Sequence, residues 1–339
     1  MVGVFADRNI SRVTGAPRWM WIVAVALVVS LAGALGIVQA ANGQLDKIAR
    51  NVIVAEALSP PSEEVENVLL VGSDSRAGAD PNDADYLSTG SEEATPGMRA
   101  DTLIVARIDR RSGEISLMSI PRDLRVKIGN SERFAKVNAT YSEGAQILVR
   151  TIQRALNIPI HHYVEINFQG FKAIVDAIGG VNVCVEHPSR DKATGFFIGR
   201  AGCKLLDGPD ALSYARSRYF EEKIDGNWVM DRTGDTGRGE RQRAFITTLA
   251  KQAAQYLAEN PMQTHRVIDA ATSAMTVNSE FDVLKMGQKM RALADSETMS
   301  YALPVDSEMV NDVFTFRLAR ESTSLLAYFA GLGPKPEQP

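Results

Sequence analysis

The chain has 339 residues, 45% of them hydrophobic and 23% charged, enough for one large or two small domains. Its net charge is -4 and its pI about 5.7. No global cationic field calls for nucleic acid, so any anion site must be built locally.

Residues Trp19 to Ala41 form 23 residues without a charge. As a helix they would be about 34 Å long at about 1.5 Å per residue, enough to cross a bilayer. Arg8, Arg12 and Arg18 precede this run, while Asp46, Lys47 and Arg50 follow it. The positive-inside rule therefore predicts a cytoplasmic tail over 1–18, one transmembrane helix over 19–41 and an extracellular remainder. Trp19 and Trp21 fall at the inner interface. The alternative is a cleaved signal peptide with Val38-Gln39-Ala40 as a poor cleavage site; the apolar run exceeds a usual signal core, which favours an uncleaved anchor in the cell membrane.

Residues 42–64 read as an extracellular stalk, ended by Ser59-Pro60-Pro61-Ser62. An α/β domain is expected over 65–332. Its first core strand, Val65 to Val71, stops at Gly72-Ser73-Asp74-Ser75-Arg76, and a strand entering a small polar loop is where α/β proteins place ligands. Residues 77–97, rich in Gly, Asp, Ser and Pro, read as an exposed loop.

The stretch from Met98 to Val126 reads as an antiparallel hairpin. Two apolar runs (Leu103 to Ile108, Ile115 to Ile120) flank the turn Asp109-Arg110-Arg111-Ser112-Gly113. If Asp109 faces Glu114, paired positions sum to 223, which sets Asp101 opposite Arg122 with Arg99 one strand step away. The inner runs are too apolar to face water, so the hairpin belongs in a sheet buried on both faces. Charged groups at its open end have a bland reading too, as surface ion pairs that contribute little.

Lys136-Val137-Asn138-Ala139-Thr140-Tyr141 precedes a helix that places Ile147, Leu148, Ile152 and Ala155 on one face, with Ser142 able to cap it. A strand over Ile160 to Ile166 follows. A helix over Phe168 to Ile178 then closes at Gly179-Gly180, and a strand runs from Val181 to Val185. This alternation predicts a layered α/β domain. Cys184 and Cys203 enclose 18 residues. An exported chain favours a disulfide between them, worth on the order of 3 kcal/mol, over two buried thiols. The four histidines (161, 162, 187, 265) lack metalloprotease spacing and read as packing or surface groups.

Asp207-Gly208-Pro209 starts a helix leading to Tyr214-Ala215-Arg216-Ser217-Arg218. Arg216 and Arg218 point apart on a helix but share a side on extended chain, so joint binding of one ligand requires the helix to end near Ala215. Gly237-Arg238-Gly239-Glu240-Arg241-Gln242 runs into a helix over Arg243 to Leu257. Arg238, Arg241 and Gln242 share one face of its first turn, beside backbone N–H groups suited to an anion. Six arginines and six acids lie between 216 and 243, so a salt-bridged surface segment stays open as a reading. Helical patterns are expected from Val267, over Phe281 to Leu293 and over Phe314 to Phe329, with an edge strand over Met299 to Val305. The tail 333–339 reads as disordered.

Six motifs in order resemble the LytR-CpsA-Psr family of bacterial cell-envelope proteins: GSDSR at 72–76, MRADT at 98–102, SIPRD at 119–123, KVNATY at 136–141, YARSR at 214–218 and GRGERQ at 237–242. The resemblance implies an α-β-α sandwich with a central mixed sheet and an apolar cavity for a lipid. It implies a phosphotransferase that moves a glycopolymer from a polyprenyl-pyrophosphate carrier onto peptidoglycan through a phosphodiester. Asp74 and Asp101 would hold magnesium, with manganese as a substitute. Arg99, Arg122, Arg216, Arg218 and Arg238 would clamp the pyrophosphate, Gln242 would hydrogen-bond it, and Arg76 would add a contact. Asp74, Asp101 and Arg122 would be catalytic. The chemistry agrees: magnesium prefers carboxylates plus phosphates, guanidinium forks bind phosphate, and phosphoryl transfer needs positioning and charge neutralisation. Alternatives are a polyprenyl-pyrophosphate phosphatase and a non-catalytic, membrane-tethered binder or regulator of lipid-linked polymer. The 77–97 loop and the charged segment 220–233 depart from the family pattern, as lid, polymer-contacting rim or decoration.

Overall fold

A computed structural model describes residues 48–75, 99–232, 235–282 and 299–337. The segment expected to span the membrane, Arg76, the 77–97 stretch expected as a loop and most of the helix expected over Phe281 to Leu293 lie outside them. The first elements are β1 Ala49–Asn51, α1 Val52–Ala55, β2 Val65–Ser73, β3 Ala100–Asp109, β4 Ile115–Ser119, β5 Arg125–Lys127 and β6 Phe134–Lys136. Next come α2 Ala145–Leu156, β7 His162–Ile166, α3 Phe168–Ala177, β8 Val181–Val185, β9 Ser189–Asp191, β10 Phe196–Ile198, β11 Gly202–Leu206 and α4 Gly208–Arg216. The chain continues through β12 Glu221–Ile224, β13 Asn227–Met230, α5 Asp235–Glu259, α6 Thr264–Ala274, β14 Met275–Asn278, β15 Met299–Ala302, β16 Val305–Val310, β17 Val313–Leu318 and α7 Ser322–Phe329.

Seven strands form the central sheet in the order β1-β14-β7-β2-β3-β4-β15. The β1/β14, β2/β7 and β4/β15 pairs are parallel and the rest antiparallel, so the sheet is mixed. The hairpin register is the expected one: Ile108 faces Ile115 and Ile104 faces Ser119. Its turn is tied by Asp109, whose Oδ1 accepts from the N–H groups of Arg111 and Ser112, before Gly113 at φ +73°.

Side chains alternate across each strand, so one sequence stretch supplies both faces. Leu69, Val71, Leu103, Val105 and Met118 pack against α2 (Leu148, Val149, Ile152) and α7 (Leu325, Phe329). The opposite face looks toward α3, α4 and α5, whose Val175, Ala211, Tyr214 and Phe245 form a second core. Helices on both sides complete the α-β-α layering. Cys184 and Cys203 stand opposite each other on β8 and β11, and their sulfurs are bonded.

Several expectations are corrected. Ala49–Asn51, assigned to the stalk, is an edge strand of the central sheet, and Val54 behind it is fully buried. Residues before 65 therefore take part in the compact fold. Ser142 does not cap α2: residues 137–143 form a 3-10 turn in which Ser142 Oγ donates to the Ala139 carbonyl, and the cap is Gly144 at φ +117°. The helix expected from Arg243 begins at Asp235. Residues 314–329 are not one helix. Asn311 and Asp312, both at positive φ, turn the chain into β17, whose alternating Val313, Phe314, Thr315 and Phe316 suit a strand. The tail is placed as far as Glu337: Tyr301 Oη donates to the Pro336 carbonyl at 3.2 Å and Lys335 pairs with Glu114. His161 is a packing residue, as expected. Its buried Nδ1 accepts from the Asn67 N–H, and burial pushes its pKa down to about 4.

The contact of α3 with α6 depends on Gly170, in the first turn of α3. A Cβ there would lie 2.5 Å from the Ala274 carbonyl oxygen. Backbone cannot yield as a flexible side chain does, so Gly170→Ala is expected to lower stability by about 1–3 kcal/mol, read as a shift in the urea midpoint. An unchanged midpoint would mean that the helices separate at no cost.

Candidate active site

The site grows from an irregularity between β2 and β3. Gly72 pairs with Thr102 but Ser73 pairs with Ala100, so Asp101 is an extra residue in a β-bulge. Bulges leave the extra residue out of the ladder and re-aim its side chain. The released Asp101 carbonyl accepts from Arg238 Nη2 at 3.4 Å. Gly72 fits the kink because a Cβ would come within 2.9 Å of Thr102 Cβ. Two residues on, Asp74 ties the two strand ends together. Its N–H donates to the Arg99 carbonyl (3.0 Å) and its Oδ1 accepts from the Arg99 N–H (2.6 Å). Both aspartates thus lie at one end of the same strand pair.

Two arginines converge on Asp101. Arg122, in the loop after β4, places Nη1 at 2.9 Å from Asp101 Oδ1, and Arg218 places Nη2 at 3.5 Å from the same oxygen. Arg216 is the last helical residue of α4, one position beyond the expected end; Ser217 turns to extended backbone at ψ 124°. Arg216 and Arg218 accordingly both line one cavity, with the Arg216 guanidinium 4.8 Å from the centre of the Phe168 ring. From α5, Arg238 and Gln242 line the same wall, and Gln242 Nε2 donates to the Ala215 carbonyl at 3.0 Å. Arg241 turns away: it pairs with Asp231 at 2.8 Å and donates to the Ser217 carbonyl at 3.0 Å, bracing the loop. The Arg99 backbone belongs to the strand-end clasp, and its residue is exposed.

The cavity has a volume of about 410 Å³. Its polar end carries Asp101, Arg216, Arg218, Arg238 and Gln242; its body is lined by Val164, Ile166, Phe171, Leu212, Phe245 and Leu249. Guanidiniums beside an apolar chamber suit an amphiphile with an anionic head. Among the described residues no three carboxylate, histidine or cysteine side chains stand together as a metal site. Magnesium is commonly held by one or two carboxylates plus substrate phosphates, so Asp74 and Asp101 fit that role as a donor pair.

Asp191 is the residue that sequence reasoning missed. It is fully buried. Its Oδ2 accepts from Ser217 Oγ (2.7 Å) and from the N–H groups of Arg218 and Tyr219 (both 2.9 Å). Its Oδ1 accepts from the Ala193 and Thr194 N–H groups. One carboxylate therefore fixes the path of the chain through both arginines. Burial alone would raise its pKa, but the Ser217 hydroxyl and the surrounding N–H donors outweigh it and hold the group below its ordinary value. The local signal, an Asp two and three residues before its own N–H donors, announces only a turn. Nothing nearby in sequence points to residue 217.

The sequence model of the LytR_cpsA_psr family matches residues 34–328, so the chain belongs to that family. It is 34% identical over 250 residues to the probable cell wall biosynthesis protein LcpB of Corynebacterium glutamicum, covering 72% of this chain and 56% of that protein. It is 35% identical over 193 residues to the polyisoprenyl-teichoic acid–peptidoglycan teichoic acid transferase TagU of Halalkalibacterium halodurans, covering 57% and 59%. The chain thus matches under two thirds of these relatives' lengths. Among solved structures, the LytR-Csp2A-Psr enzyme from Actinomyces oris superposes with a TM-score of 0.65 at 25% identity, over 84% of this chain and 96% of that one. TagT bound to LI-WTA shares the fold, with a TM-score of 0.59 at 20% identity, over 80% and 93%.

Asp191→Asn is expected to lower stability at pH 7 by about 1–3 kcal/mol, the range for breaking buried hydrogen bonds. A depressed folded pKa gives stabilisation that is present above the unfolded value, about 3.9, and lost as pH falls through the folded one. The difference between the two proteins in urea unfolding should therefore shrink as pH falls below about 4. A pH-independent difference would exclude this role.

Proposed function

We propose that this member of the family transfers a glycopolymer from a polyprenyl-pyrophosphate carrier to peptidoglycan, at the outer face of a membrane that its own 19–41 segment spans. The observation that carries this reading is the junction of the arginine cluster with the apolar cavity. A lipid pyrophosphate has the same two parts. The related TagU is named for transfer from a polyisoprenyl carrier to peptidoglycan, and TagV of Bacillus subtilis, which carries the same kind of name, shares the fold.

In this mechanism an acceptor sugar hydroxyl attacks the glycan-bearing phosphorus. A new P–O bond forms, the P–O–P bridge breaks, and polyprenyl phosphate leaves with the bridge oxygen. The hydroxyl proton passes to an aspartate at the head of the site. Arg122 and Arg218, already gathered on Asp101, hold non-bridging oxygens and offset the charge that develops. Arg216 and Arg238 complete the clamp, Gln242 hydrogen-bonds the head group, and Arg99 and Arg76 would add phosphate contacts. Asp74 and Asp101 would hold magnesium, or manganese in its place, which supplies Lewis-acid charge neutralisation when bound. Arginine suits such a clamp because its charge persists at any working pH.

The test is a reaction of the full chain in membrane vesicles with a polyprenyl-pyrophosphate oligosaccharide, peptidoglycan acceptor and magnesium. Covalent sugar on peptidoglycan is expected, and Arg122→Ala should reduce its rate by about 10²–10³, as for loss of one transition-state donor. Chelation of the metal should stop the reaction and added magnesium restore it. Free sugar phosphate without transfer would mean a phosphatase. Bound lipid with no turnover would mean a tethered binder.

A further inference from the structure

Beside the cavity stands a separate four-stranded sheet, ordered β10-β9-β12-β13. It departs directly from the anion site. Tyr219, next to Arg218, lines the cavity and leads into β12, while Asp191 in β9 lines it too. Phe196 and Ile198 anchor the sheet in the same core as Phe245 of the cavity wall. Beyond that anchor the β12–β13 hairpin projects, because only Glu221 and Glu222 of β12 pair with β9.

Both faces of the projecting part mix apolar with polar groups: Trp228 and Met230 share one with Glu221 and Lys223, Ile224 and Val229 the other with Glu222 and Asn227. Phe197, Tyr219, Ile224, Val229 and Met230 are 38–58% exposed. The pairings put Ile224 and Val229 on one face, and Phe197, Met230 and Trp228 on the other. A platform for a sugar chain needs one such face. Apolar and charged side chains on both faces of a single projecting hairpin suit the mixed surroundings of a bilayer's headgroup region. Cavity size agrees: about 410 Å³ encloses a drug-sized molecule, so most of a long polyprenyl chain stays in the bilayer while its head is bound. Any gap of water between bilayer and cavity would expose that chain at about 0.8 kcal/mol per CH₂.

We propose that the β12–β13 hairpin, with Phe197 and Tyr219, lies in the headgroup region of the lipid bilayer and brings the cavity to the membrane surface. The inference rests on the lipid-linked donor proposed above. Depth follows from backbone chemistry. Strand β13 is an edge strand, and its unpaired N–H and C=O groups need water, which keeps it out of the hydrocarbon. Trp228, stacked under the Arg190 guanidinium at 3.9 Å, has the amphipathic character of an interfacial residue. Acids outnumber cations across 219–232 (Glu221, Glu222, Asp225 and Asp231 against Lys223 and Arg232). Apolar contact, not attraction to anionic lipid, therefore drives the association.

Trp228 is one of three tryptophans in the chain, so Trp19→Phe with Trp21→Phe leaves it as sole reporter. The full chain is placed in neutral phosphatidylcholine vesicles with brominated lipids. Bromine near the headgroups should roughly halve Trp228 emission, bromine deep in the chains should quench it less, and raising salt should change neither. Emission unaffected by brominated lipid but quenched by aqueous iodide would overturn the proposal. So would protection from iodide only when soluble glycan is added, which would identify a sugar platform. Quenching needs no turnover and reads this surface whatever the transfer assay shows. In that assay, Val229→Asp with Met230→Asp should slow transfer from a vesicle-borne donor at least tenfold while sparing a short-chain, water-soluble donor. Equal loss on both donors would count against a membrane role.

Discussion

The site depends on one carboxylate holding two guanidiniums that would otherwise repel each other. At an effective dielectric near 20, like charges 4 Å apart cost about 4 kcal/mol, and arginine cannot relieve this by losing its proton. Asp101 sits between Arg122 and Arg218, and with Asp123, 3.6 Å from Arg122 Nε, it offsets that repulsion. It reaches them because the bulge removes it from the β2–β3 ladder; in regular register its side chain would follow the strand alternation. Under the proposed function, the substrate's phosphate would meet donors already assembled, and the energy of gathering them is part of the fold.

The second support is the loop from Ala215 to Phe220. It is fixed from three directions: Asp191 takes its N–H groups and the Ser217 hydroxyl, Arg241 takes the Ser217 carbonyl, and Gln242 takes the Ala215 carbonyl. Beneath it Phe196, Tyr214, Phe220 and Phe245 pack as aromatic neighbours. This cluster joins the anion site, the cavity wall and the accessory sheet.

What could be read in the sequence was local and periodic. The hairpin register followed from a five-residue turn between two apolar runs, and the end of α4 followed from asking two arginines at spacing two to serve one ligand. Elements that a remote partner stabilises were not legible. Ala49–Asn51 has too few residues to show a strand pattern and exists because β14 offers it an edge. Asp191 reads as a turn residue until the chain returns at 217. Phe314 to Phe329 carries enough apolar residues for a helix, yet the left-handed pair Asn311-Asp312 makes a hairpin of its first third.

The same contrast explains the division of labour in the site. The residues proposed to bind the anion sit at strand and helix ends, where backbone direction changes and side chains of opposite elements meet. The apolar wall comes from strand and helix interiors, such as Val164 and Leu249, which any buried sheet or helix would carry. Composition therefore reveals the wall without its purpose, and the motifs reveal the head group without the chamber. Only the fold sets them side by side, because β2 and β7 run parallel and deliver Gly72 and Ile166 together to the end where Asp101 leaves the ladder.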